Sequence, residues 1–121
     1  MWSAQDRSLA TQLGMLDPDE KDTQGLPLTC RALFFISPDK KLKSQILLPA
    51  TSGRNFDEVL RILDSLQLTK SGEVATPVDW KPGDETMLQP SLSNEEAEKR
   101  GISFETAEVP SGKVRHLTHM R

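Results

Sequence analysis

One cationic side chain interrupts the most apolar stretch of the chain. Residues 28–36 read Leu-Thr-Cys-Arg-Ala-Leu-Phe-Phe-Ile, between Pro27 and Ser37-Pro38-Asp39. Length and flanks predict a strand, and the near-continuous apolarity suggests burial on both faces of a sheet. A charge in the middle of such a strand needs a partner or a polar cavity, so Arg31 is the first residue to ask for an explanation. Its neighbour Cys30 is the single cysteine. A guanidinium nearby lowers a thiol's pKa and raises its reactivity. Neighbours on a strand point to opposite faces, however, which leaves Cys30 as a small buried hydrophobe. His116 and His119 would likewise face opposite ways on a strand and do not suggest joint metal ligation. One cysteine excludes an internal disulfide and a cysteine-cluster metal site. No Gly-rich phosphate loop, His-Glu-x-x-His or Gly-x-Ser-x-Gly motif occurs.

The elements that must position these residues are few. Residues 5–13 predict a short helix, with Leu9 and Leu13 four apart and Gly14 able to take the left-handed closing position. Met15 to Pro27 is polar and turn-rich and reads as an exposed loop. Residues 42–48 predict a second strand, paired to the first as an antiparallel hairpin, polar enough to be an edge and ended by Pro49. Residues 55–68 carry the clearest periodicity: Phe56, Val59, Leu60 and Leu63 form one helical stripe. Asn55 can cap this helix, and Asp57 and Arg61 are spaced for an i,i+4 pair. From Thr69 to Pro90 periodicity fades and Pro77, Pro82 and Pro90 recur. Val74, Val78, Trp80, Met87 and Leu88 are the expected anchors of this crossing segment. Ser93-Asn94-Glu95-Glu96 predicts a capping box opening a short surface helix closed by Gly101. Residues 102–109 and 113–118 then flank Pro110-Ser111-Gly112 as a last hairpin.

With 36% hydrophobic residues over 121 positions, the core is thin. Fifteen basic residues stand against 18 acidic ones, a net charge of −3 that argues against a dedicated nucleic-acid binder. The longest apolar run, Ala32–Ile36, is far too short to span a bilayer. Met1–Asp6 shows neither a basic n-region nor an apolar h-region, so a non-secretory, cytoplasmic protein is expected.

Several long segments together resemble a known family. They are Leu13–Pro18 (Leu-Gly-Met-Leu-Asp-Pro), Ser37–Lys43 (Ser-Pro-Asp-Lys-Lys-Leu-Lys), Pro49–Glu58 (Pro-Ala-Thr-Ser-Gly-Arg-Asn-Phe-Asp-Glu), Ala75–Asp84 (Ala-Thr-Pro-Val-Asp-Trp-Lys-Pro-Gly-Asp) and Pro110–Lys113. In this order and spacing they are similar to the C-terminal half of the one-cysteine peroxiredoxins, the subgroup that includes the mammalian type-six protein. The likeness runs from about Asp6 to the C-terminus.

The resemblance implies an α/β fold. Residues 5–68 would be the C-terminal portion of a thioredoxin-like domain (helix, antiparallel hairpin, helix), and 69–121 a small C-terminal peroxiredoxin domain. It also implies a thiol-dependent peroxidase acting on hydrogen peroxide and organic hydroperoxides, with no metal or organic cofactor and with an external thiol as reductant. The family's peroxidatic cysteine lies in a Pro-x-x-x-Thr-x-x-Cys motif that this chain does not contain. Cys30 does not inherit that role, and the chain alone is expected to be inactive. Arg31 matches a family arginine that hydrogen-bonds the thiolate and the peroxide oxygens. Arg54 matches a second arginine near the site, although an arginine ahead of a helix can equally be simply solvated. Asp39 matches an acid proposed for a phospholipase side activity in some animal members, but a Pro-Asp turn explains it adequately. Thr76-Pro77 fits a minimal proline-directed kinase pattern too common to carry weight. The family's dimers pair along the strand matching 42–48, so a homodimer is expected, with Leu47 at an apolar interface position and Ser44 in place of a usual leucine. The alternative from another class is a non-catalytic module that binds partner subunits through this dimer surface.

Overall fold

The computed structural model describes residues 7–110 and 112–117, with the side chains of His116 and Leu117 outside the description. The expectations for His119, for Ser111 in the last turn and for the outer ends of the first helix and last hairpin lie outside the described residues. The chain divides into two compact units, Met1–Phe56 and Asp57–Arg121.

In the first unit, α1 (Ser8–Gln12) is one short helical segment, and Gly14 beyond it has φ +66°, the left-handed region that favours glycine. The expected loop after it is instead a strand. β1 (Leu16–Lys21) pairs antiparallel with β2 (Pro27–Thr29). The polar composition hid it. Asp22 builds the connecting turn, its carboxylate accepting from the backbone N–H groups of Gln24 and Leu26, both at 2.9 Å. The turn is reinforced by the ion pair from Arg7 to Asp22.

The strand expected over 28–36 is two strands. Cys30 breaks it: its N–H donates to Met15 O at 2.7 Å, on the β1 side. β3 (Arg31–Ile36) then pairs antiparallel with β4 (Leu42–Leu48), from Arg31 opposite Leu48 to Phe35 opposite Ser44, with an irregularity before Ile36. The hairpin and the bounds of β4 agree with the pattern in the sequence. Arg31 opens β3 rather than sitting in its middle, and it is exposed; the interior residues Ala32–Phe35 are half-buried.

In the second unit, α2 (Phe56–Leu68) runs into a turn of 3₁₀-helix at Thr69–Ser71. The predicted stripe exists in sequence, but Phe56, Leu60 and Leu63 are exposed. α2 is held by other contacts. Leu68 packs on the core, Ser65 and Thr76 share a hydroxyl hydrogen bond of 2.8 Å, and Arg61 donates to Trp80 O at 3.2 Å. Arg61 takes Glu58, not Asp57, as its carboxylate, in a bidentate pair at 2.7 and 2.9 Å.

β5 (Val74–Ala75), β6 (Thr86–Leu88), β8 (Gly112–Leu117) and β7 (Glu105–Val109) form an antiparallel sheet in that spatial order. α3 (Asn94–Lys99) opens on the expected capping box, in which Ser93 Oγ accepts from Glu96 N–H. Val74, Leu88, Leu92 and Ala97 make the core, flanked by Leu68, Ile102 and Phe104. Trp80 is buried as expected, whereas Val78 is 88% exposed and anchors nothing.

The Arg61 guanidinium holds the Glu58 carboxyl below its ordinary range. A depressed carboxylate pKa adds stability above the unfolded value, and that contribution fades as pH falls through the folded value. Arg61→Gln is therefore expected to raise the Glu58 pKa, as read by NMR titration of its carboxyl, and to remove this contribution at neutral pH.

Candidate active-site segment

The site is built at one end of the β3–β4 hairpin. Because Arg31 stands opposite Leu48, the chain that leaves β4 passes beside the arginine. Pro49 ends the strand, and a turn follows in which Ser52 N–H donates to Pro49 O at 2.9 Å. This turn presents the Ala50 carbonyl to Arg31, whose Nε–H donates to it at 3.2 Å. Guanidinium carries five N–H donors in a fixed plane. With Nε engaged, the plane is oriented. Among the described residues the terminal nitrogens have no partner, so they are free to meet an anion or a pair of oxygens in the bidentate manner typical of arginine. The sequence calls for a partner for Arg31, and locally that partner is a carbonyl, not a carboxylate.

A second polar group enters from β1. Asp17 is 8% exposed. Its Oδ1 accepts from Asp19 N–H at 3.1 Å and its Oδ2 from Ala50 N–H at 3.3 Å. Sequence reasoning missed this residue. Its only signal was Asp17-Pro18-Asp19, a turn-former's composition, which is also what disguised β1.

The remaining candidates fall apart from this arrangement. Cys30 is half-buried and free, between β2 and β3 rather than on a strand. Arg54 is exposed ahead of α2, with no polar partner among the described residues. Asp39 serves its turn: its carboxylate accepts from Ser37 Oγ and pairs with Lys41 at 3.9 Å. The Ser37 hydrogen bond, with Lys43 nearby, holds its carboxyl below the ordinary range. Thr76 is committed to Ser65. No cluster of three or more potential metal ligands occurs among the described residues, and no helix there is long and apolar enough to cross a membrane.

Residues 65–103 match the C-terminal domain of 1-Cys peroxiredoxin. The chain is 60% identical over 111 residues to Peroxiredoxin-6 of Gallus gallus, covering 89% of this chain and 49% of that protein. It is 57% identical over 110 residues to the 1-Cys peroxiredoxin of Onchocerca volvulus, covering 90% and 47%. A crystal structure of a Cys-to-Ser mutant of the Peroxiredoxin 6 of Arenicola marina superposes with a TM-score of 0.88 at 55% identity, over 97% of this chain and 54% of that one. In sequence and fold this chain is similar to the C-terminal half of the one-cysteine peroxiredoxins. It spans about half the length of the curated relatives it matches. A yeast mitochondrial 1-Cys peroxiredoxin, whose thiol is resolved through glutathione/thioredoxin systems, has the same fold at a TM-score of 0.76 and 35% identity, over 93% of this chain and 53% of that one. The α/β fold is thus the peroxiredoxin one, and the hairpin that carries Arg31 belongs to it.

Proposed function

We propose that this chain acts as the C-terminal half of a thiol peroxidase and supplies Arg31 to a peroxide site whose attacking cysteine comes from an upstream half. The thiolate attacks one peroxide oxygen. The S–O bond forms as the O–O bond breaks, the leaving oxygen takes a proton and departs as water or an alcohol, and the cysteine becomes a sulfenic acid. Two equivalents of an external thiol then return it to the thiol, releasing water and a disulfide. A thiol of the glutathione or thioredoxin class fits that role. In this scheme the cationic guanidinium lowers the cost of the thiolate and of the charge that grows on the leaving oxygen. Arg54 is a second cation for the same region, and edge pairing along β4, with Leu47 exposed on it, would make the homodimer.

The observation that carries this reading is the arginine fixed through Nε at the head of β3, with its terminal nitrogens open, in a chain so similar to Peroxiredoxin-6. A coupled peroxide-consumption assay tests it. The chain alone should show no turnover above buffer, while the chain joined to an upstream half bearing the family's cysteine motif should turn over with an external thiol. Turnover by the chain alone that vanishes in Cys30→Ser would overturn the assignment of the chemistry to an upstream cysteine.

A further inference from the structure

We infer that Asp17 is a positioning residue for Arg31, acting through the backbone of Ala50; the inference rests on the peroxide-site reading of Arg31 given above. Asp17 is one of only two buried polar side chains among the described residues, and the other, Thr86, lies in the other unit. A buried carboxylate is costly unless its oxygens are hydrogen-bonded. Here the two oxygens are used on two different segments. Oδ1 accepts from Asp19 N–H and fixes the side chain's own orientation. Oδ2 accepts from Ala50 N–H, 33 residues away in sequence. The opposite end of the Ala50 residue, its carbonyl, accepts from Arg31 Nε–H.

The contacts form a mechanical relay through one residue: the carboxylate holds the Ala50 N–H, and the carbonyl on the other side of its Cα holds the guanidinium. Ala50 lies in a turn after Pro49, beyond the reach of the β3–β4 ladder, whose last register pair is Arg31 with Leu48. Outside that ladder the Pro49–Ala50 peptide is held twice, by the turn in which Ser52 N–H donates to Pro49 O and by the Asp17 carboxylate on the Ala50 N–H, and the Ala50 carbonyl leaves from the residue so anchored. By anchoring Ala50, Asp17 steadies the carbonyl that holds the guanidinium through Nε, while touching neither the peroxide nor the attacking sulfur.

The test compares Asp17→Ala, Asp17→Asn and Arg31→Ala, singly, and the Asp17→Ala/Arg31→Ala pair, in the full-length enzyme. Asn keeps the shape of Asp but has one oxygen, so it cannot accept from Asp19 and Ala50 through separate oxygens. It is the variant that keeps the question open if Asp17→Ala fails to fold. Misplacing a catalytic group by a small distance can cost up to about 10²-fold. Asp17→Ala is expected to slow the reaction with peroxide by about 10- to 100-fold, with Asp17→Asn between it and wild type. The apparent pKa of the attacking cysteine should rise in both, a shift that a merely structural role would not produce. Because the effect runs through Arg31, Asp17→Ala should cost nothing further once Arg31 is alanine. In parallel, ¹⁵N relaxation at Arg31 Nε in this chain should show a more mobile guanidinium in Asp17→Asn. If Arg31→Ala is slow but both Asp17 variants react at the wild-type rate, the relay is wrong and the peroxide-site reading stands. If the two losses simply multiply, Asp17 acts independently and the inference is overturned. If Arg31→Ala reacts normally, the reading of Arg31 itself fails and takes the relay with it.

Discussion

If Arg31 serves the proposed peroxide site, Arg31→Ala in the chain joined to its upstream half is expected to slow the reaction with peroxide by roughly 10²–10³-fold, the cost of deleting a single preorganised donor to a developing oxyanion. Two effects combine. The lost cation no longer favours the thiolate, so the cysteine's pKa rises. The lost N–H donors no longer meet the leaving oxygen, so the rate falls even at a pH where the thiolate is fully formed. Stopped-flow measurement of the second-order rate constant across pH separates them: the midpoint of the profile should move up and its plateau should drop. A plateau within about threefold of wild type would place the residue outside the site. The expectation depends on orientation as well as charge. Lys in place of Arg31 restores the charge but not the fork that lets Nε hold Ala50 while the terminal nitrogens stay free. Arg31→Lys is accordingly expected to recover the pH midpoint better than the plateau.

The second large effect concerns stability. Leu88 is 5% exposed, pairs across the sheet with fully buried Val74, and sits in the cluster with Leu92 and Ala97. Leu88→Ala should destabilise the C-terminal unit by about 2–5 kcal/mol, the transfer term plus the residual cavity. At about 4–8 °C per kcal/mol for a unit of this size, thermal denaturation followed by circular dichroism will show it plainly. Val78→Ala provides the contrast. Val78 is equally apolar and was an equally good anchor by sequence, but it is 88% exposed, so its truncation should stay within about 0.5 kcal/mol. Equal losses at the two positions would mean that the core is not where Val74 and Leu88 put it.

Periodicity and punctuation made several elements legible. The stripe from Phe56 to Leu63 announced α2, the turn at Ser37-Pro38-Asp39 and the stop at Pro49 announced β4, and Ser93 with Glu96 announced the cap of α3. β1 was illegible because Asp-Pro-Asp-Glu-Lys carries no apolar alternation. It is a strand through its pairing with β2, a tertiary decision that local composition does not encode. The break at Cys30 was illegible for a related reason: an unbroken apolar run does not reveal where a strand changes partners. The candidate site was half visible. Arg31 stood out because its charge contradicts its surroundings. Asp17 and Ala50 did not, because the first hid among turn-formers and the second contributes only its backbone. Arg61 was seen, but its choice of Glu58 over Asp57 depends on geometry that i,i+3 and i,i+4 spacing leave undecided.

The core of the C-terminal unit has a kinetic corollary. Val74, Leu88, Leu92 and Ala97 are gathered from a short stretch of chain, so closing the cluster costs little loop entropy. β8 closes on β7 as a local hairpin, Val109 opposite Gly112, whereas its pairing with β6 joins Thr86 to Leu117 across a longer excursion. Contacts local in sequence form fast and distant pairings slowly. The cluster, with the self-capped α3 packed into it through Ala97, is thus the natural nucleus of this unit, and the docking of the locally closed terminal hairpin on β6 is the late step.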